Sequence, residues 1–264
     1  MKNLILFDMD GTLTESRKKG DIGMMVKLRE LTKHANIGIL TGSGFEYVKE
    51  QCGIFWNSSA SPKPSSFTLL PCNGTQMYVY KNRKWEKSFS VSMRDYYGED
   101  KFKELVQLLI KANYFYAKSN HTCHPLTGHF ISYRESLVNW CPVGRNADEK
   151  DRQAFIKFDK NTQIRKKYLK TLNKFLKKNG FDQIEIVLGG DTSLDIYPPG
   201  WDKRFALQHF PATVNCWFVG DRCYPDGNDY HVYNELNQYG RAFKTSGPSE
   251  TIKIINEIIN KISS

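Results

Sequence analysis

At 264 residues the chain has room for two modest domains or one large one, and its 40% hydrophobic and 25% charged residues match a globular protein. No apolar stretch approaches the ~20 residues of a membrane-spanning helix, and Met1-Lys2-Asn3 runs straight into an apolar segment without a secretory pattern, so a cytoplasmic protein with no membrane partner is expected. The net charge of +10 raises nucleic acid as a partner, but residues 85 to 199 hold 19 lysines and arginines against 14 acids, half of the surplus, and there is no basic arm. A surplus divided in this way suits small phosphorylated molecules, and no nucleic-acid partner is expected.

The first element is the run Leu4 to Phe7, four large apolar residues without alternation, which predicts a strand buried on both faces. It ends in Asp8 and Asp10, with Gly11 and Thr12 providing a turn, so two carboxylates stand where an open α/β sheet binds its ligands. Ile22, Met25, Leu28 and Leu31 predict a helix over 22 to 32, and Ile37 to Leu40 a second strand. This β-α-β order brings Thr41-Gly42-Ser43, followed by a helix from about Phe45 to Cys52, beside the first strand's end, as a phosphate-binding turn would be. Residues 57 to 66, NSSASPKPSS, read as a loop; Leu69 to Thr75 ends in a turn; Gln76 to Tyr80 and Lys84 to Phe89 form a hairpin.

The texture then changes. Helices are expected at about 101 to 112 and at 164 to 178, the latter with Ile164, Tyr168, Leu172 and Phe175 on one face, and strands at 129 to 134 and 184 to 188. An α+β block of this kind between two α/β portions predicts an insertion over 84–199, dividing the core into 1–83 and 200–264. Beyond residue 200, Cys216 to Val219 is another buried strand, ending in Gly220-Asp221, and Ile252, Ile255, Ile258, Ile259 and Ile262 make the last helix amphipathic.

Six cysteines, at 52, 72, 123, 141, 216 and 223, contain no CxxC and read as reduced thiols. His121, Cys123, His124 and His129 are close in sequence, but their spacing fits no standard zinc pattern.

The two acids of the first turn can share one pocket and do different work. Asp8 is the candidate nucleophile, whose attack on phosphorus would make an acyl phosphate, and Asp10 is the candidate general acid and base. A carboxylate and a phosphate dianion repel, which calls for Mg²⁺, with Asp221 as a natural second ligand and Asn228 and Asp229 in support. Lys203 and Ser43 are candidates for holding the transferring phosphoryl group.

The string DMDGTLT, then TGS, a lysine and GD, in this order, resembles the four motifs of the haloacid dehalogenase superfamily. GHFISYR, CPVGR, KDRQAF, GGDTSLDIYPPGWDKR and FVGDRCYPDGNDY narrow the resemblance to eukaryotic-type phosphomannomutases over nearly the whole chain. The resemblance implies an α/β fold, a Rossmann-like parallel-sheet core with an inserted α+β cap domain. It implies a Mg²⁺-dependent enzyme that interconverts mannose 6-phosphate and mannose 1-phosphate through an aspartyl phosphate, with a hexose 1,6-bisphosphate as activator, and so feeds GDP-mannose synthesis. A hexose-phosphate phosphatase and a phosphoglucomutase are the alternatives on the same scaffold.

Position by position, Asp8 matches the nucleophile, Asp10 the acid/base and Asp221 a magnesium ligand alongside Asp8 and the main-chain oxygen of Asp10. Ser43 and Lys203 match the phosphoryl-binding groups. Arg134, Arg145 and Arg152 match the cap arginines that hold the substrate's far phosphate, whereas Ser193, Asp195 and Arg17 match further substrate contacts. The partners implied are sugar phosphates and a second copy, joined through the cap as a homodimer. The chain departs from the pattern at Gly44 and Cys72, where acidic residues are usual, and in the longer 57 to 66 loop.

Overall fold

The structure is a computed structural model that describes residues 2–119 and 125–263. The chain divides into two compact units, Met1–Ser90 with Gly200–Ser264, and Val91–Pro199.

The first unit begins with β1 (Lys2–Phe7), α1 (Ile22–Leu31), β2 (Asn36–Leu40), α2 (Phe45–Cys52), β3 (Phe67–Leu70), β4 (Gln76–Lys81) and β5 (Lys84–Ser90). The second unit contributes α3 (Met93–Tyr97), α4 (Glu99–Lys118), β6 (Ile131–Tyr133), β7 (Val138–Trp140), α5 (Glu149–Thr162), α6 (Ile164–Lys178), β8 (Glu185–Gly189) and β9 (Ser193–Tyr197). The chain then returns to the first unit through a 3₁₀ helix (Lys203–His209), β10 (Val214–Gly220), α7 (Tyr230–Asn237), β11 (Ala242–Lys244) and α8 (Pro248–Ser263).

In the first unit seven strands form one sheet in the order β11-β10-β1-β2-β3-β4-β5. It is parallel from β11 to β3 and antiparallel beyond. The unbroken apolar run of β1 has a simple cause: its residues alternate between two cores. Ile5 and Phe7 join Ile37 and Ile39 against Met24, Met25, Leu28 and Leu31 of α1 and Ile254, Ile255 and Ile258 of α8. Leu4 and Leu6 join Leu40, Leu70 and Phe218 against Val232 and Leu236 of α7 and Ala206. Asp21 caps α1, its Oδ1 accepting the N–H of Met24 at 2.8 Å. Ile22, expected on the apolar face of that helix, is instead 66% exposed at its first position, and Met24 takes the buried place.

The hairpin strand β5 belongs to this sheet, so the first unit continues to residue 90, past the sequence-based division at 83. Trp85 fixes it there, meeting Trp56 and Tyr80 edge-on with ring centroids 5.2 and 5.3 Å away.

The second unit is a four-stranded antiparallel sheet, β6-β7-β9-β8, with helices. Val138, Trp140, Leu194 and Ile196 are buried along paired positions of β7 and β9. Trp140 donates from Nε1 to Asn113 of α4 at 3.0 Å, and Tyr116 of α4 stands perpendicular to Tyr168 of α6 at 4.8 Å. The sequence reading finds α4 over a shorter span, 101 to 112, and leaves α5 and β7 unassigned. The reason is pattern length: α5 buries only Arg152 and Phe155 of its 14 residues, and β7 has three residues.

The even division of charge along the chain conceals a local concentration. Within α6 there are seven lysines and arginines and no acid, and Lys166, Lys167, Lys170, Lys174, Lys177 and Lys178 are all exposed. No described helix is long and apolar enough to cross a membrane. Cys52, Cys72, Cys141, Cys216 and Cys223 are buried. Of the His/Cys grouping near 121, His121, Cys123 and His124 lie outside the described residues.

Candidate active site

Three parallel strands, β10, β1 and β2, lie side by side and end on one edge of the first unit's sheet. Asp8 follows β1, Asp221 follows β10, and Thr41-Gly42-Ser43 follows β2. The backbone N–H of Asp8 still donates to Val219 of β10 at 2.9 Å, so the sheet's hydrogen bonding holds the first acid in place. Gly11, at φ +80°, lets the next turn lie against the second acid, since a Cβ there would stand 2.5 Å from Oδ2 of Asp221. The turn after β2 is held by the Thr41 side chain, which accepts the Ser43 N–H at 3.1 Å, and by Ser43 O, which accepts the N–H of Cys72 at 3.0 Å.

Lys203, from the first turn of the 3₁₀ helix, is fully buried. Its Nζ donates to Oδ1 of Asp8 and Oδ1 of Asp229, both at 2.5 Å. Burial disfavours its charge, but Asp229 and Asp8 more than offset this and hold the ammonium above its ordinary range. Asp8 is displaced the other way for a carboxylate: burial raises its pKa well above the usual range, Asp229 and Asp221 add to this, and Lys203 opposes them. Asp221 is pushed up to about 6, first by burial and then by Asp229. One buried cation therefore stands among three clustered acids.

Atoms of Asp8, Asp221 and Asp229 lie within 4.8 Å of one another, a grouping that could hold a metal ion. The three are not equivalent. Asp229 is satisfied by the protein, its Oδ1 by Lys203 and its Oδ2 by the N–H of Arg222 at 3.0 Å. Asp221 Oδ1 and Asn228 Oδ1 are buried oxygens with no hydrogen-bond donor. Unsatisfied hard oxygens beside an acidic cluster fit a divalent cation such as Mg²⁺, held by Asp8 and Asp221 with Asn228 nearby. Asp229, expected as metal support, belongs to this grouping and is also the second anchor of Lys203.

Asp10 is half-buried, and its Oδ1 accepts the backbone N–H of Arg17 at 2.7 Å. Arg17 itself is exposed, with φ +62°.

The other sequence-derived residues lie in the second unit. Arg145 donates from Nη1 to Oδ1 of Asn139 at 3.1 Å, while Nδ2 of Asn139 donates to Ser193 Oγ at 2.9 Å and to Asp195 Oδ1 at 2.6 Å. Arg152 is buried, with Nη1 3.4 Å from Thr192 Oγ1, and its Nε lacks a hydrogen-bond partner, standing 3.5 Å from Glu149 as an ion pair. Arg134 follows β6, its N–H donating to Leu137 O at 2.9 Å in the β6–β7 turn. Ser193, Asp195 and Arg145 are thus brought together through Asn139, a residue the sequence reading passes over. Its signal was an amide between Val138 and Trp140 in a strand that is otherwise apolar.

The model of the eukaryotic phosphomannomutase family matches residues 24–261. The phosphomannomutase of Schizosaccharomyces pombe is 31% identical over 98% of this chain and 95% of its own length. That of Saccharomyces cerevisiae is 30% identical, also over 98% and 95%. Among solved structures, the C-terminal domain of Candida albicans trehalose-6-phosphate phosphatase covers 98% of this chain and 92% of its own, with a TM-score of 0.61 at 16% identity. An ATP-bound Plasmodium falciparum IMP-nucleotidase structure reaches a TM-score of 0.64 at 14% identity, over 98% of this chain and 60% of its own. At such identities the structural likeness speaks for the fold.

The raised Asp221 carboxyl gives a pH-dependent prediction. Without metal, ionising it in the fold is unfavourable, so its contribution to stability falls as pH rises from the ordinary 3.8 to about 6. Mg²⁺ needs the ionised form, and its stabilisation should be full above pH 6, about 2.7 kcal/mol at a hundredfold excess over Kd, and fade below it. Thermal melts of metal-free protein with and without Mg²⁺ at pH 5 and 7.5 check this; equal shifts at both values would count against a cation on Asp221.

Proposed function

The chain belongs to the eukaryotic phosphomannomutase family, and on that premise we propose that it interconverts mannose 6-phosphate and mannose 1-phosphate through an aspartyl phosphate on Asp8. The observation that carries the mechanism is the position of Asp8 at the end of β1, with one oxygen fixed by a buried ammonium and Asp221 beside it. The haloacid dehalogenase-type α/β core supplies this edge, where three strand ends converge.

In the priming step, a carboxylate oxygen of Asp8 attacks a phosphorus of a hexose 1,6-bisphosphate. The new bond makes an acyl phosphate, and the bond from phosphorus to the sugar oxygen breaks. Asp10, oriented by the Arg17 N–H on Oδ1, gives that oxygen a proton. In the productive cycle a mannose monophosphate presents its free hydroxyl, Asp10 takes the proton, and the oxygen attacks the aspartyl phosphate to form mannose 1,6-bisphosphate. Reversed end for end, this intermediate returns its other phosphate to Asp8. Lys203 holds Asp8 and balances part of the negative charge, with Ser43 as a contact for the phosphoryl oxygens. Mg²⁺ on Asp8 and Asp221, when bound, supplies the positive charge that lets a carboxylate meet a phosphate.

The second unit serves as the substrate-binding cap. Arg134, Arg145 and Arg152 hold the phosphate that is not reacting, with Ser193 and Asp195 on the sugar and Arg17 as a further contact. Guanidinium suits this role because it offers a bidentate fork and keeps its charge.

With mannose 1-phosphate, glucose 1,6-bisphosphate and Mg²⁺, mannose 6-phosphate should form with little free phosphate. Free phosphate alone would indicate a hexose-phosphate phosphatase. Asp8→Asn should lose the phosphoenzyme and at least about a thousandfold in turnover. Asp10→Asn should lose about 10²- to 10⁴-fold.

We also propose a homodimer through the cap. Two observations support it: β6 is an edge strand, and α4 exposes Ile110 (57%) and Tyr114 (58%) to solvent. Sedimentation equilibrium should give twice the chain mass of 30.5 kDa, and Ile110→Asp with Tyr114→Asp should return it to that mass. The setting we propose is cytoplasmic, and co-fractionation with cytosolic rather than organelle markers tests this.

A further inference from the structure

Asn139 is 2% exposed in the middle of β7, where its neighbours Val138 and Trp140 are apolar and buried. Its register partners are Ser132 on β6 and Asp195 on β9, so these three side chains lie on one face of the sheet, opposite the apolar face. The amide uses both of its N–H groups and its oxygen. Nδ2 donates to Ser193 Oγ and Asp195 Oδ1, and Oδ1 accepts from Arg145 Nη1. Ser193 Oγ itself donates a hydrogen bond to Gly189 O at 2.6 Å.

Only one orientation of the amide satisfies this arrangement. Rotated by 180°, Nδ2 would face a guanidinium donor and Oδ1 a carboxylate, both repulsive, and the Ser193 hydroxyl could donate to Oδ1 only by giving up Gly189 O. The amide dipole is therefore fixed with its oxygen towards the cation and its nitrogen towards the anion. The glycine on β8 gives the carboxylate room, since a Cβ at Gly189 would lie 2.7 Å from Cγ of Asp195.

We propose that Asn139 is the positioning residue of the cap's substrate site, orienting Arg145, Ser193 and Asp195 as one unit. Three of the five cap residues assigned to substrate then depend on a side chain that itself touches none of it. The inference rests on the phosphomannomutase reading for the identity of that substrate. It also explains why an amide stands here and not a carboxylate. An aspartate at 139 would pair directly with Arg145, compete with phosphate for the guanidinium, and place a second anion beside Asp195 without any proton to donate. Asparagine keeps the cation and the anion connected through a neutral group.

The test uses the full-length enzyme and three variants, N139A, N139D and R145A, together with the double variant N139A/R145A. N139A should raise KM for mannose 1-phosphate about 10- to 100-fold, the range for hydrogen bonds to charged groups, with the loss falling on KM more than on kcat. N139D should be worse than N139A, because it adds a competitor for Arg145. In the double variant the two effects should fall well short of multiplying, since Asn139 acts in part through Arg145. A loss in kcat alone, N139D equal to or better than N139A, or strictly multiplicative effects would overturn the proposal. A crystal structure of N139A gives a readout independent of the reaction. Displaced Arg145 and Asp195 side chains support the proposal even if wild type proves to be a phosphatase, and unmoved ones refute it even if wild type is a mutase.

Discussion

The arrangement of the first unit depends on one interaction, a fully buried lysine held between two aspartates. Taking a single charge out of water is costly, and taking several like charges out together is more so. Lys203 makes it possible for Asp8 and Asp229 to stand beside Asp221 within 4.8 Å. The rest of the edge follows from that cluster. Gly11 must be a glycine because Asp221 is close, and the DGND turn must fold back so that Asp229 can reach both the lysine and the N–H of Arg222. Lys203 and the Arg222 guanidinium, 3.6 Å from Oδ2 of Asp221, do not fully offset the burial and mutual repulsion of the acids, and the raised Asp221 with its donor-free Oδ1 shows it. A site of this kind has a built-in demand for further positive charge.

The second unit, our proposed cap, handles charge by a different device. Arg145 and Asp195 both bind the amide of Asn139, the guanidinium on its oxygen and the carboxylate on its nitrogen, so one neutral group orients both ions. In the core, charge is balanced by burial and direct pairing; in the cap, by a dipole interposed between ions. The first suits groups that must hold a nucleophile still, the second groups that must bind an anion and release it.

Much of this was legible in the sequence where a local pattern had a local cause. Leu4 to Phe7 reads as a doubly buried strand because both neighbours along the chain are apolar, and the two cores it feeds are the reason. Gly220-Asp221 repeats the strand-then-acid arrangement of Asp8. What was not legible depended on residues far apart in sequence. Asp229 gave no sign that it would bind Lys203 rather than only support a metal. Asn139 lies in a three-residue strand too short to be read from pattern, and its meaning lies in partners 6, 54 and 56 residues away. The boundary near residue 83 was misplaced because the hairpin's turn is a stronger local signal than Trp85 packing on Trp56. The even division of charge concealed α6 because counting over a hundred residues averages out one helix.

The central pairing of β1 with β10 has a consequence in time. Leu4 lies opposite Cys216 and Phe7 opposite Val219, so the strand that carries the first acid has its neighbour more than two hundred residues later in the chain. Closing such a distance is slow, and during synthesis it must wait until most of the chain has emerged. Before then β1 can pair only with β2, leaving one edge open. The second unit faces no such delay, since its strands and helices lie within Val91–Pro199. The part that we assign to substrate recognition can thus be complete while the edge that carries Asp8 is still half built, and the aspartate we propose as nucleophile reaches its final setting only at the end of the chain's own assembly.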